Sequence, residues 1–499
     1  MGTPQEHHAG ADPSRRQFLR RGIFLGAGTV LTPAMLLSAP DAAAEDVLRA
    51  SRFDGAPDGR RREVWGYNHD LPGPLIRARE GQTLRIKVVN GLGVPTTVHW
   101  HGMHQRGTWR MDGVPGVSGP PIAAGAEFTY EFRADPAGTH WYHSHEGVQY
   151  ANGLFGPLVV EERTPIAAYD REEVLFINDW FHQPADTLLA ELLKPPAGHK
   201  MPARMSGKME MKKDVADVPF QSGLINGKGR AAGDTRSPLT VVGVKKGETV
   251  RLRLVNGSST FAFRFQVDGH PLEVIASDGA PLKSVVVDNL VFYPGERYDV
   301  LLRARGEGVH WVRAVTLDGH EVLAVLRYAG AARAEPEPGP VRWGPRALKA
   351  QDMRSAQPER LAERPREIPL RLGGSMMPFR WSINDQFYPR ADPIVLDQGE
   401  PVRLVMRNPT GMDHPFHLHG QWFHVLGRPG ALNVTDPPRK DNANIPAGSD
   451  LVLQWTAINR GWWFFHCHIE WHLATGMARV VEIGRPGALR ANEGLKKNP

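Results

Sequence analysis

The sequence predicts an all-β chain made of three related sandwich domains. A ten-residue pattern occurs three times, as GQTLRIKVVN at 81–90, GETVRLRLVN at 247–256 and GEPVRLVMRN at 399–408. Successive copies lie 166 and 152 residues apart, which is a domain's length and far longer than a solenoid period. Segments such as 83–89 and 250–255 alternate apolar and polar residues and are bounded by Gly, Pro, Asn and Asp, as in sandwich strands.

The elements follow in chain order. Residues 14–19 read SRRQFL, Arg20 and Arg21 follow, and an apolar stretch at 22–38 precedes Ala42, Ala43 and Ala44. That is the pattern of a twin-arginine export signal over 1–44, with a peptidase site near Ala44. Pro33 and several glycines interrupt the stretch, which argues against a membrane anchor. No other run is long and apolar enough to span a bilayer, so a periplasmic or secreted protein is expected. The domains are expected at 45–165, 166–335 and 366–484, with a short helix around 185–193. A Pro-, Arg- and Glu-rich linker fills 336–365, and 485–499 reads as a tail.

Composition narrows the function. The 499 residues are 41% hydrophobic and 23% charged, a globular balance. The 60 basic and 54 acidic residues are intermixed for a net +6, so nothing points to nucleic acid. One Cys stands against 21 His. A single thiol excludes an internal disulfide framework, a Cys-rich zinc site and a Cys-ligated iron–sulfur cluster. An exported protein is free to form disulfides, so keeping one Cys suggests a task for the thiol or an inert burial.

The repeat puts the histidines in register. Nine and eleven residues after Asn90 come His99 and His101, and the same offsets from Asn408 give His417 and His419. Each unit has a later glycine, at Gly125, Gly295 and Gly448. Eighteen and twenty residues beyond the first and last of these come His143 with His145, and His466 with His468. In the middle unit the same four positions are Phe265, Val267, Arg313 and Val315. Alternate strand residues face one way, so each pair offers two imidazoles to one place, and two domains together supply eight. Imidazoles without carboxylates or several thiolates favour copper. Cys467 lies between His466 and His468 and so points to the opposite strand face. With His414, His472 and Met477 nearby, it completes the two-His, one-thiolate, weak-thioether set of a blue-copper site.

The runs HWHG, WYHSH, HPFHLHG and HCHIEWHLATGM, with an unliganded middle domain, resemble the three-domain multicopper oxidases of the laccase type over the whole mature chain. The resemblance implies three cupredoxin-like Greek-key β-sandwich domains and four copper ions. It implies type 1 copper at His414, Cys467 and His472 with Met477 axial, and type 2 copper at His99 and His417. It implies a type 3 pair on His101, His143 and His468 and on His145, His419 and His466. Electrons taken singly from a donor would pass through Cys467 to a trinuclear cluster that reduces O2 to two waters. Asp112, in MDGVPG, matches the family's acidic residue beside that cluster. Some relatives carry a Glu directly after the type 1 histidine; here Leu473 stands there, and Glu470 is a candidate substitute. His104, His140 and His424 fall outside the ligand register and read as structural or solvated.

The donor has two candidate classes. The WHL stretch at 471–473 resembles laccases acting on phenols and similar aromatic donors. Met201, Met205, Met209 and Met211 suggest instead a cuprous oxidase, since thioethers favour Cu(I). A third class, a copper-free binding protein on the same fold, would have lost ligands that this chain retains. A monomer is expected.

Overall fold

The computed structural model describes residues 46–194 and 216–484. The export signal, the four methionines at 201–211 and the tail lie outside the described residues. Within them the chain forms six sheets in three pairs, each pair a sandwich around one copy of the repeat. This is the all-β, three-domain, cupredoxin-like architecture.

Each repeat copy is an inner strand with the same two neighbours. Thr83–Asn90, Thr249–Asn256 and Pro401–Asn408 pair parallel with Asp46–Gly55, Arg171–Trp180 and Arg366–Met376. On the other side they pair antiparallel with Glu127–Arg133, Arg297–Arg303 and Ser449–Thr456. The alternation is visible in Thr83–Asn90, where Leu84, Ile86 and Val88 enter the core while Thr83 and Arg85 face out. In the middle domain Arg251 and Arg253 hold the outward positions, yet both are fully buried. They meet Asp299 from their own sheet and Glu162 from the segment that closes the first domain. The charged face of that strand has become a domain contact.

The asparagine ending each copy does one job three times. Asn90 Nδ2 donates to the carbonyls of Val94 and Ile122 at 2.8 and 2.9 Å. Asn256 bridges Phe261 and Phe292 at 3.1 and 3.0 Å, and Asn408 bridges Met412 and Ile445 at 2.8 and 2.9 Å. Each side chain thus ties the loop leaving the strand to a segment over 30 residues later, and in the first and third domains that loop leads into the strand carrying the first histidine pair. The second sheet of each sandwich receives those strands. His99–His101 lies antiparallel to Gly138–His143, and His414–Leu418 to Gly461–Cys467. The expected short helix is present as Ala185–Leu192. A five-residue helix, Glu470–Ala474, follows directly after the strand ending at Cys467.

Asn256 is fully buried, and its side chain also accepts from Ser258 N at 2.9 Å. Replacing it with Ala leaves buried carbonyls and an amide without partners, at about 1–3 kcal/mol each before relaxation. Asn256→Ala is expected to lower the calorimetric thermal midpoint by roughly 5 °C or more. A midpoint within about 1 °C of the parent would show that the shared bridge carries no stability.

Candidate metal centres

Eight histidines from the first and third domains meet where the two face each other. Strand register sets His99 opposite His143 and His417 opposite His466. Across the domain boundary His101 stacks on His417 with ring centroids 3.7 Å apart, and His99 on His419 at 3.8 Å. Ligand nitrogens of His145, His419 and His466 lie within 4.8 Å of one another. The same holds for His99, His417 and His419, and for His99, His101 and His143. His468 flanks the last group, its ring 5.1 Å from His101 and 5.5 Å from His143.

Backbone carbonyls determine which nitrogen is free in four of the rings. His99 and His417 donate from Nδ1 to the carbonyls of Asp112 and Asp441, at 2.9 and 2.8 Å. His143 and His466 donate from Nδ1 to the carbonyls of the next residues, Ser144 and Cys467, at 3.0 and 2.9 Å. The proton therefore sits on Nδ1, and Nε2 presents a lone pair. His419 donates from Nδ1 to Asp112 Oδ2 at 2.8 Å, and its Nε2 stands 3.1 Å from that of His466. Two lone pairs at that distance, in a buried site, suit a shared cation. Nε2 of His99, His143, His145 and His417 is buried without a hydrogen-bond partner. His101 is reversed: its Nε2 lies 3.3 Å from Asp441 Oδ1, and its buried Nδ1 has no partner. Burial pushes His101, His143, His145, His419, His466 and His468 well below the ordinary imidazole range, and neighbouring rings add to it. Neutral imidazoles are the ligand form.

The sulfur site lies on the other face of the same strand. Cys467 Sγ is 3.5 Å from His472 Nδ1 and 3.8 Å from His414 Nδ1, and the two nitrogens are 3.1 Å apart. The helix Glu470–Ala474 returns His472 over Cys467. Met477, fully buried, donates from its backbone N to His472 O at 2.9 Å and accepts from Cys467 N at 3.0 Å. Thr410 Oγ1 accepts from His414 Nε2 at 2.9 Å, which leaves His414 Nδ1 as the free lone pair. Burial pushes the Cys467 thiol well above its ordinary value, so an adjacent cation is what makes the thiolate accessible. A soft thiolate with two imidazoles fits copper.

The sequence profile of the multicopper oxidase family matches residues 51–165, 171–331 and 363–486. A laccase of Thanatephorus cucumeris is 32% identical over 94% of this chain and 95% of its own. The chain belongs to the multicopper oxidase family. A multicopper oxidase of Mycobacterium tuberculosis is also 32% identical, over 94% of this chain and 97% of its own. Among solved structures, the laccase from Botrytis aclada shares 28% identity and a TM-score of 0.77, covering 88% and 87% of the two chains. A multicopper oxidase that functions in iron import shares the fold, at 23% identity and a TM-score of 0.78 over 91% and 93%. The protein is thus a copper-dependent oxidoreductase with O2 as electron acceptor.

In this oxidase two aspartates mirror each other across the histidines. Asp112, from the first domain, reaches His419 in the third; Asp441, from the third, reaches His101 in the first. Their Oδ1 atoms also stand 3.3 Å from His99 Nδ1 and 3.4 Å from His417 Nδ1. Asp112 was legible in the sequence, but Asp441 was not, because it falls 24 residues after His417 and in no repeat register. Glu470 is buried and its carboxyl is raised, by burial first and by the nearby Asp179 second. It lies two residues from His468. Asp217 was also missed: its Oδ2 lies 2.9 Å from His472 Nε2, with both side chains fully buried. His104, His140 and His424 are not solvated, being 6%, 0% and 8% exposed. Burial first holds His140 at about 3 and His104 at about 4, so both are neutral packing groups at ordinary pH.

Proposed function

We propose that this enzyme is a laccase-type oxidase of phenolic and related aromatic donors, with four copper ions. In this reading His414, Cys467 and His472, with Met477, would hold type 1 copper, and His99 and His417 would hold type 2. His101, His143 and His468, and His145, His419 and His466, hold the type 3 pair. Bound copper supplies one-electron chemistry at the thiolate site and four-electron reduction of O2 at the histidine cluster.

The observation that carries the donor class is Asp217 against His472. One-electron oxidation of a phenol releases one electron and the hydroxyl proton together. The imidazole edge of His472 is the exit for the electron, and Asp217 beside it takes the proton. A mainly apolar recess is lined by Ala216, the sequence neighbour of Asp217, with Phe261, Met412, Pro415 and Ile469, which suits an aromatic ring. A cuprous donor carries no proton and prefers thioethers to a carboxylate. That second reading rests on Met201, Met205, Met209 and Met211, which lie outside the described residues. At the cluster Asp112 holds His419 and keeps Oδ1 unpartnered, so it can accept or return a proton there. Cys467 joins both sites covalently, being peptide-bonded to His466 and His468.

O2 uptake with phenols, Fe(II) and Cu(I) as alternative donors tests the assignment. Phenols are expected to be turned over best, and faster turnover of Cu(I) would overturn it. Asp217→Asn should raise KM for phenols about 10-fold or more while leaving the blue absorption of type 1 copper intact. An unchanged KM would remove Asp217 from donor binding.

The N-terminal pattern supports export by the twin-arginine pathway to a periplasm or beyond, and we take the exported enzyme to be a monomer. N-terminal sequencing of the exported protein should read from near Glu45. A chain retaining Arg15 and Arg16 would contradict it.

A further inference from the structure

The middle domain offers no ligand at any of its four register positions, yet one turn of it braces the histidine cluster at three points. Pro294 O accepts from Asn442 Nδ2 at 2.7 Å. Gly295, at φ +87°, packs directly on His468: a Cβ there would fall 2.7 Å from His468 Cδ2 and 2.1 Å from Asn442 Nδ2. Arg297, fully buried, sends Nη1 and Nη2 to the two carboxylate oxygens of Asp441, each at 2.6 Å. Its Nε donates to Thr139 O in the first domain at 3.1 Å. One guanidinium is therefore bonded to all three domains.

We propose that Arg297 is a positioning residue of the cluster: through Asp441 it sets the placement of His101 and His417 across the boundary between the first and third domains. Asp441 is the relay because its backbone carbonyl receives His417 Nδ1 while its Oδ1 faces His101 Nε2. A bidentate guanidinium–carboxylate pair fixes both the position and the plane of the carboxylate, which a single ammonium does not. The clamp is itself supported. Asp278 Oδ1 accepts from Arg297 N at 2.9 Å, and Asp278 Oδ2 accepts from Asn442 N at 3.2 Å. Lys440 Nζ lies 3.1 Å from Asp278 Oδ2 and 3.0 Å from Glu296 Oε1. The mirror residue Asp112 has no such partner, and its Oδ1 is unbonded. Only the third-domain aspartate is locked, and a domain without copper ligands locks it.

The inference rests on the ligand assignment proposed above, and the experiment separates the two. Copper per chain, the electron paramagnetic resonance signal of type 2 copper and the blue absorption of type 1 copper are measured in the parent and in three variants. Arg297→Lys keeps the charge and loses the fork; Asp441→Asn keeps the shape and loses the anion. Arg253→Lys is the control, since Arg253 is equally buried and bonds Thr139 Oγ1 and Glu172 without touching a ligand histidine. A parent lacking cluster copper would defeat the ligand assignment itself. With the parent fully loaded, Arg297→Lys and Asp441→Asn should each shift the type 2 signal and weaken cluster copper binding about 10–100-fold, with the blue absorption retained. Arg253→Lys should leave all three readings at parental values. The proposal fails if Arg297→Lys keeps the parental type 2 signal and copper affinity. It fails equally if type 1 and cluster copper are lost in parallel, or if Arg253→Lys reproduces the effect. Should Arg297→Lys not fold, the same criteria apply to Asp441→Asn.

Discussion

The arrangement depends on the hydrogen bonds from histidine Nδ1 to backbone carbonyls. A buried imidazole has two edges, and only one can face a metal. By donating Nδ1 to the carbonyls of Asp112, Ser144, Asp441 and Cys467, four histidines commit their lone pairs to the centre. Ser144, Asp441 and Cys467 lie in strands or their immediate continuations, and Asp112 caps the short turn Trp109–Met111, so the backbone fixes all four carbonyls. The donor set is therefore organised before any ion arrives, and neutral rings crowded at 3–4 Å become favourable only around a cation.

Strand alternation does the rest. Because His466, Cys467 and His468 are consecutive, one strand end serves two centres on opposite faces, and the route between them is covalent. The same carbonyl pattern at Ser144 and Cys467 shows that the first and third domains are copies in chemistry as well as in shape. The middle copy breaks the symmetry. It has Phe265 and Val267 where the others have histidines, and its contribution comes from the turn at 294–297 instead.

The local part of this was readable in the sequence. The eight cluster histidines, Cys467, His414 and His472 follow from spacings counted along single strands and one short helix, and the structure brings them together. The three-sandwich fold was readable for the same reason, since the repeat and its asparagine are local signals. Asp441, Arg297 and Asp217 were not readable, because each acts across domains. Arg297 and Asp441 are 144 residues apart, and no periodicity links them. Arg251 and Arg253 carry the same lesson: alternation placed them outward, and the neighbouring domain then covered them. For His104, His140 and His424 the structural alternative holds, and local spacing could not choose it because burial by another domain leaves no trace there.

In the reading proposed above, the thiolate site and the histidine cluster work as one four-electron unit wired through Cys467. It is tested most directly by the stoichiometry of turnover, measured as O2 consumed against a one-electron phenolic donor with peroxide assayed in parallel. Four donor molecules are expected to be oxidised per O2, with no hydrogen peroxide. Two donor molecules per O2, with peroxide accumulating, would contradict it.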